Sequence, residues 1–242
     1  MRRSRMIGLA IGLLIALGIG AGVAAVSADE PSAGPENENE FRVAGDGQLP
    51  SSPPHLEAAR APLTADEIGY ATYLIASHQA AARSVAGDAG PQVLSVDLPS
   101  PGEARGAERL AVVVAYDYAR DRLAQHVVSL SERRIVSSAS KAGVQPPSVP
   151  DEADAALQLA LSSDADLSFR EQFLQTQGVP LLTADQVRYV AGTWTYDQST
   201  VAGKQCGAHR CVRLLVQSPA GDYFETGDFV VDLSARTIVK LR

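Results

Sequence analysis

Cysteine is scarce in this 242-residue chain, which has two, Cys206 and Cys211, and none nearer the amino terminus. A lipoprotein anchor needs a cysteine directly after the signal segment, so this sequence excludes one. The chain also lacks a Gly-x-Ser-x-Gly nucleophile motif, a glycine-rich phosphate loop, a His-Glu-x-x-His motif and a calcium-binding loop. The sequence therefore carries none of the common hydrolase, nucleotide or metalloprotease signatures.

Basic residues are also in the minority, with 21 Lys and Arg against 28 Asp and Glu, a net charge of −7. Without residues 1–28, which hold three arginines and no acid, the balance becomes 18 against 28, or −10. An acidic protein repels phosphate backbones, so we predict no nucleic-acid partner. The composition, 45% hydrophobic and 20% charged, is that of a globular protein with one domain or two small ones.

The amino terminus has the pattern of an export signal. Residues 1–5 are basic, residues 6–26 are uncharged, and Val26-Ser27-Ala28 places small residues at the end of this run. We predict a signal peptide over residues 1–28 and a secreted or cell-surface protein. The alternative is a retained anchor over residues 7–26, because an uncharged run of this length can span a bilayer. If it is retained, this segment would be the only contact with the membrane.

Residues 29–61 are rich in Pro, Ser, Gly, Glu and Asn. Such a segment cannot bury enough apolar surface to offset the loss of chain entropy on folding. We predict a disordered linker that holds the folded part away from the membrane or cell wall.

The first folded segment begins with the pattern of a helix start. Thr64 can cap exposed amides, and Glu67, three residues later, can reach back to it. Apolar residues then recur at helical spacing up to Gly87, and His78, beside this stripe, is predicted to be packed and hydrogen-bonded. Strand-like alternation follows in four runs, Gln92–Leu98, Arg109–Ala119, Arg122–Leu130 and Arg134–Ser138.

The second segment repeats this plan. Asp151-Glu152 opens an apolar helical stripe, and Phe169 and Phe173 lie one turn apart in a second helical piece. Four strand-like runs follow, Val187–Tyr196, Cys211–Gln217, Tyr223–Leu233 and Thr237–Leu241. We therefore predict two α+β domains, residues 62–142 and 143–242, each with a helix packed on a four-stranded antiparallel sheet.

The last hairpins of the two halves nearly repeat. Residues 130–136, LSERRIV, and residues 233–239, LSARTIV, agree at five of seven positions. Both stretches fall at the same place in the helix-then-strands plan. This agreement favours an internal duplication.

The segment that joins the halves carries a family resemblance. Gly143-Val144-Gln145-Pro146-Pro147, followed by an acidic helix and by the stretch from Phe169 to Val179, resembles the passage between the two small amino-terminal domains of copper amine oxidases. Those domains are cystatin-like and non-catalytic. The resemblance implies a cystatin-like fold for both halves, without the catalytic domain that follows in that family.

The residues with which copper amine oxidases carry out catalysis have no counterpart. Those enzymes bind copper with three histidines, two of them in a His-x-His pair, and build a quinone from a tyrosine in an Asn-Tyr-Asp/Glu context. Neither pattern occurs here, and Tyr196-Asp197 lacks the asparagine. The Gln-x-Val-x-Gly hairpin of cystatin-type inhibitors is also missing. We therefore predict a protein that is not an enzyme and has no cofactor and no metal site.

The two cysteines close a short stretch, Cys206-Gly207-Ala208-His209-Arg210-Cys211. In an exported protein this pair predicts a disulfide that contributes roughly 2 kcal/mol by the loop-entropy argument. The alternative is a metal or redox site that uses Cys206, His209 and Cys211, which is one ligand short of a closed zinc site.

These patterns predict an exported, non-catalytic protein-interaction module of two cystatin-like domains on a tether. Its expected partner is a protein at the cell surface. The alternative is an accessory subunit or a copper carrier for a separate amine oxidase, in which Cys206, His209 and Cys211 would contribute to the copper site.

Overall fold

The structure is a computed structural model, and it describes residues 50–102, 106–198 and 200–241. The predicted signal peptide or anchor, and residues 29–49 of the predicted linker, lie outside these ranges. Within them, no helix combines the length and the apolar composition needed to cross a membrane.

The first half is one helix on one antiparallel sheet. Helix α1, Ala65–His78, begins with the predicted capping box, because Thr64 N–H donates to Glu67 Oε2 at 2.9 Å and Glu67 N–H donates to Thr64 Oγ1 at 3.2 Å. Four strands follow in consecutive order, β1 Gln92–Asp97, β2 Leu110–Asp117, β3 Arg122–Ser129 and β4 Arg134–Ala142. The core lies where the apolar stripe of α1 meets alternate residues of β2 and β3.

Helix α1 is shorter than predicted. It ends at His78 instead of continuing to Gly87, and in its last turn the side chains of Ser77 and His78 both donate to the Leu74 carbonyl, at 3.1 and 2.7 Å. His78 is hydrogen-bonded but exposed, so the prediction of a packed histidine was wrong. The buried histidine of this half is His126 on β3.

The second half places two helices on one face of its sheet. The helices are α2, Pro150–Ser162, and α3, Ser168–Gln177, followed by a 3-10 turn at Ala184–Gln186. The strands are β5 Arg188–Trp194, β6 Cys211–Gln217, β7 Tyr223–Phe224, β8 Phe229–Asp232 and β9 Thr237–Lys240, in the order β5-β6-β8-β9. Phe169 and Phe173 of α3 pack against Phe229 and Phe224, which confirms the α+β class and the helix-on-sheet arrangement.

The run Tyr223–Leu233 was predicted as one strand and is divided into β7 and β8. Both pieces pair with β6, β7 at Val216 and Gln217 and β8 at Cys211 and Val212. Between them, Thr226 Oγ1 donates to the Leu214 carbonyl at 2.6 Å, so a side chain takes the place of a ladder bond. The break thus acts as a bulge in the strand that pairs with β6.

Part of the predicted linker belongs to the first half. Leu56 packs against the first core, and the carbonyls of Ala58 and Ala61 accept hydrogen bonds from Arg109 at 2.8 and 2.6 Å. The stretch 56–61 is therefore held against the sheet, because a buried guanidinium needs acceptors that the sheet alone does not supply. The domain boundary between residues 142 and 143 stays a prediction.

Candidate functional site

Each half contains one buried ion pair between the start of its helix and the start of its second strand. In the first half, Arg109 Nε and Nη2 donate to the two carboxylate oxygens of Glu67 at 2.7 and 2.6 Å. In the second half, Arg210 Nε and Nη2 donate to Glu152 at 2.9 and 2.7 Å. All four side chains are buried, and both pairs have the bidentate geometry that makes such contacts strong.

The remaining guanidinium donors bind backbone carbonyls in the same way in both halves. Arg109 donates to Ala61 and Pro62 at 2.6 and 3.0 Å, and Arg210 donates to Pro146 and Pro147 at 2.6 and 3.0 Å. Pro62 lies five residues before Glu67, and Pro147 lies five residues before the acid of the second pair. In both halves the arginine binds the backbone carbonyls six and five residues before the glutamate, which supports the duplication that the hairpins predicted. The prolines that carried the family resemblance are thus ligands of a buried arginine.

The first ion pair controls the ionisation of its acid. Burial alone would raise the pKa of Glu67, but the Arg109 hydrogen bonds, followed by those from Thr64 N–H and Glu57 N–H, lower the pKa to about 2. The carboxylate therefore stays ionised in the folded protein through the mildly acidic range.

The second ion pair also lies at the junction between the halves. Tyr118, at the end of the first sheet, donates its hydroxyl to Glu152 Oε1 at 2.6 Å. The guanidinium carbon of Arg210 lies 5.7 Å from the centre of the Tyr116 ring, within cation–π range. Burial raises the pKa of Tyr118, and the charge of Glu152 raises it further, so this phenol remains a donor at all ordinary pH values.

Further polar contacts complete this junction. Gln92 Nε2 donates to Asp151 Oδ2 at 2.8 Å, and Arg236 Nη1 donates to the Val85 carbonyl at 2.8 Å. Val85 itself lies in the core of the second half. Glu152 also caps the start of α2, because its Oε2 accepts from Val149 N–H at 3.0 Å. No local sequence signal marks Arg109 or Arg210 as a partner of a buried glutamate, so sequence reasoning missed both arginines.

The predicted disulfide between Cys206 and Cys211 is present. Bonding consumes both thiolates that the alternative metal site would need, which leaves His209 alone among its three proposed ligands. Among the residues that the structure describes, no group of three His, Cys, Asp or Glu is placed to hold a metal ion.

The disulfide loop covers part of the helix-free face of the second sheet. Cys206 and Cys211 form a small apolar cluster with Val230 and Leu241, against which Trp194 packs. Gly203, with φ +85°, approaches so closely that a Cβ there would lie 2.8 Å from the Trp194 ring. The segment that leads into the loop is therefore held against this end of the sheet, and only glycine fits at position 203.

His209, within the loop, pairs with a buried acid, because its Nδ1–H donates to Asp232 Oδ2 at 2.9 Å. This hydrogen bond raises the pKa of His209, against a smaller lowering by burial. The ring is about a third exposed, so it can exchange protons with solvent.

Replacing Asp232 with asparagine should lower the pKa of His209, because the charged acceptor is lost. In the wild type, the raised pKa stabilises the fold fully below the ordinary value of 6.5, and this contribution disappears as the pH rises through the folded-state pKa. An NMR titration of the histidine ring protons measures the pKa, and urea unfolding at pH values below and above it measures the contribution to stability. The pKa of His126, in the other half, is the internal control and should not move.

The rest of the helix-free face is open and partly apolar. Val190 on β5 pairs with Leu215 on β6. Tyr223 on β7 pairs with Gln217, two residues further along β6, so Tyr223 is a diagonal neighbour of Leu215 on the same face. These three side chains are 53%, 46% and 65% exposed, although the residues alternating with them on β6 are fully buried under the helices. We define the outer face by these residues together with Arg188, Arg213 and Gln217.

The two arginines give this face a positive edge. Arg188 and Arg213 are exposed, and neither forms an ion pair with another described residue. They stand out on a chain whose net charge is −7. The outer face thus combines an exposed apolar centre with positive charge at its rim.

Comparisons with known proteins add little to this geometry. No protein-family profile matches the sequence, and no curated protein matches it. Among solved structures, one similar chain is a copper-containing benzylamine oxidase from Hansenula polymorpha, with a TM-score of 0.40 and 14% identity over 75% of this chain. This chain spans 29% of the length of that oxidase. The weak structural neighbour is thus a copper amine oxidase, but a TM-score this low carries no argument about activity.

Proposed function

We propose that this protein is an exported, non-catalytic interaction module built from two cystatin-like halves related to the amino-terminal domains of copper amine oxidases. It binds another protein at the cell surface through the outer face of the second sheet. The single observation that carries this proposal is the exposure of Val190, Leu215 and Tyr223 together on a sheet whose other face packs against α2 and α3.

The charges of the outer face define the partner. A surface that matches it has an apolar centre for Leu215 and Tyr223 and carboxylates at the rim for Arg188 and Arg213. The disulfide supports the exported location, since such bonds persist in oxidising compartments. The basic and uncharged runs of residues 1–28 supply the export signal of this proposal.

Replacing Leu215 with glutamate should reduce binding to a cell-surface protein at least about tenfold, because it puts a charge at the centre of a contact that binding desolvates. The measurement is capture from cell-envelope fractions by the immobilised chain, followed by titration of the captured protein. The matched control is Leu174→Glu. Leu174 is 47% exposed and lies on α3, on the opposite face of the same sheet.

Capture of one protein by the wild type and by Leu174→Glu, but not by Leu215→Glu, supports the proposal. Equal capture by both variants would mean that another surface binds the partner. If the wild-type chain captured no protein and stayed a monomer, the proposed function would be wrong. Thiol counting with copper titration tests the carrier alternative separately. Tight copper binding by the fully oxidised chain would favour that alternative.

A further inference from the structure

A cavity of about 300 Å³ opens on the first sheet, beyond the end of α1. The helix covers its face of the sheet only as far as Gln79, so the parts of β3 and β4 that extend further are uncovered. The side chains there are small, which leaves the volume open. The strand residues of this floor are Ala124, Ser138, Ala139 and Ser140.

A buried histidine forms the inner wall. His126 is 2% exposed, with Nε2 2.8 Å from Gln79 Nε2 and Nδ1 2.7 Å from Ser138 Oγ. With the Gln79 amide oriented in this way, its nitrogen donates to Nε2 and Nδ1–H donates to the serine. Burial lowers the pKa of His126, which agrees with this neutral form. The Ser138 hydroxyl hydrogen then remains available to a ligand.

Two arginines stand at the mouth. Arg120 binds Asp117 Oδ2 through Nη1 at 2.7 Å, while Arg122 has only long contacts with Ser140, of 3.3 to 3.4 Å. A guanidinium has five N–H donors, so both side chains keep donors for a ligand. The lining contains two guanidinium groups and one carboxylate, that of Asp117. This carboxylate also accepts hydrogen bonds from the backbone N–H groups of Arg83 and Ala119. The cavity lining is therefore net positive on an acidic protein.

We propose that this cavity binds a small organic oxyanion, a carboxylate or phosphate monoester on a body the size of one sugar ring. Arg122 binds the oxyanion through its N–H fork, Arg120 adds charge, and Ser138 and Ser140 donate hydroxyls to the ligand body. The volume is at the lower end of the range for small-molecule sites. The site lies in the other half from the outer face and does not depend on the proposed interaction.

The test is an NMR titration of the full chain with glucuronate, glucose 6-phosphate, inorganic phosphate and glucose at constant ionic strength. We expect saturable shifts at the amides of His126, Ser138 and Ser140 with glucuronate, glucose 6-phosphate or both, and at least about tenfold weaker binding of glucose. The two anionic sugars distinguish a carboxylate from a phosphate ligand. Saturation by inorganic phosphate to the same extent would show that the site does not recognise the sugar body, and the proposal of a sugar-sized ligand would be wrong.

Arg122→Gln should weaken the binding at least about tenfold, since it removes the charged donor, and Arg120→Gln should weaken it less. The matched control is Arg134→Gln, because Arg134 lies on β4, outside the cavity, and pairs with Glu132. Equal binding of glucose, unchanged binding by Arg122→Gln, or no saturable shift with either anionic sugar at millimolar concentration would overturn the proposal.

Discussion

Replacing Arg210 with methionine is expected to lower the free energy of unfolding by about 3–5 kcal/mol, because it leaves the charge of Glu152 buried without its partner. Methionine fills much of the same volume, so the loss comes from charge and hydrogen bonds and not from a cavity. The carbonyl of Pro147 also loses the donor it has in the wild type. Urea unfolding at neutral pH gives the free energy directly.

The control for this prediction is Arg213→Met, three residues along the chain on the outer face. An exposed arginine without an ion pair should change the stability by about 0.5 kcal/mol or less. In Arg210→Met combined with Glu152→Met, the loss should be smaller than the sum of the single losses, because neither charge is then left alone. A loss below about 1 kcal/mol for Arg210→Met would show that the buried pair is not needed for stability.

The second large effect is expected for Arg109→Met, which removes the equivalent arginine of the first half. At neutral pH the loss should again be about 3–5 kcal/mol, since Glu67 is buried and bidentate in the same way. The two losses are expected to be similar because both ion pairs are buried and share the bidentate geometry.

The pH dependence separates this pair from simple packing. In the wild type, the pKa of Glu67 is about 2 against an ordinary value of 4.5, so its stabilisation is complete above about 4.5 and is lost as the pH falls through about 2. The difference corresponds to about 3 kcal/mol. In Arg109→Met this part of the acid destabilisation should be absent, because the main cause of the lowered pKa is gone.

Urea unfolding at several pH values between 7 and 2 measures this difference. Arg134→Met, a change at an exposed arginine of the same half, should keep the wild-type pH dependence. If Arg109→Met also kept it, the low pKa of Glu67 would not depend on the arginine.

Local patterns were enough to predict most of the elements. The alternation in β2 and β6 and the capping residues Thr64 and Glu67 each act within a few residues, and the structure has these elements where the patterns place them. The repeated hairpins also proved to be equivalent, since Arg133 and Arg236 both have left-handed φ values, 57° and 53°. Short-range physics determines these features, so a sequence shows them.

The pairings over long distances could not be predicted in this way. Arg109 and Arg210 look like ordinary strand starts, and only the fold brings them to acids 42 and 58 residues earlier in the chain. The one available signal was the common five-residue spacing between proline and glutamate before each helix. The sequence gives no signal for the cavity. Ala124, Ser138 and Ser140 are ordinary strand residues, and they line a cavity only because α1 ends before it covers them.

The outer face could not be predicted from the sequence either. Val190 and Leu215 are apolar residues between the more buried positions of their strands, and nothing local shows that two helices cover only one side of this sheet. The same pattern in the first half gives residues that are largely buried, such as Val112 and Val127. The difference arises from what packs on each sheet, which is a property of the assembled chain.

The most direct test of the proposed binding surface is photo-crosslinking in cells, with a photoreactive phenylalanine in place of Tyr223. The replacement keeps an aromatic ring at an exposed position, so folding should be unaffected. We expect one crosslinked cell-surface protein from position 223 and none from the same residue at Leu174, on the helix-covered side. No crosslink at position 223, or the same products from both positions, would contradict the assignment of the outer face as the binding surface.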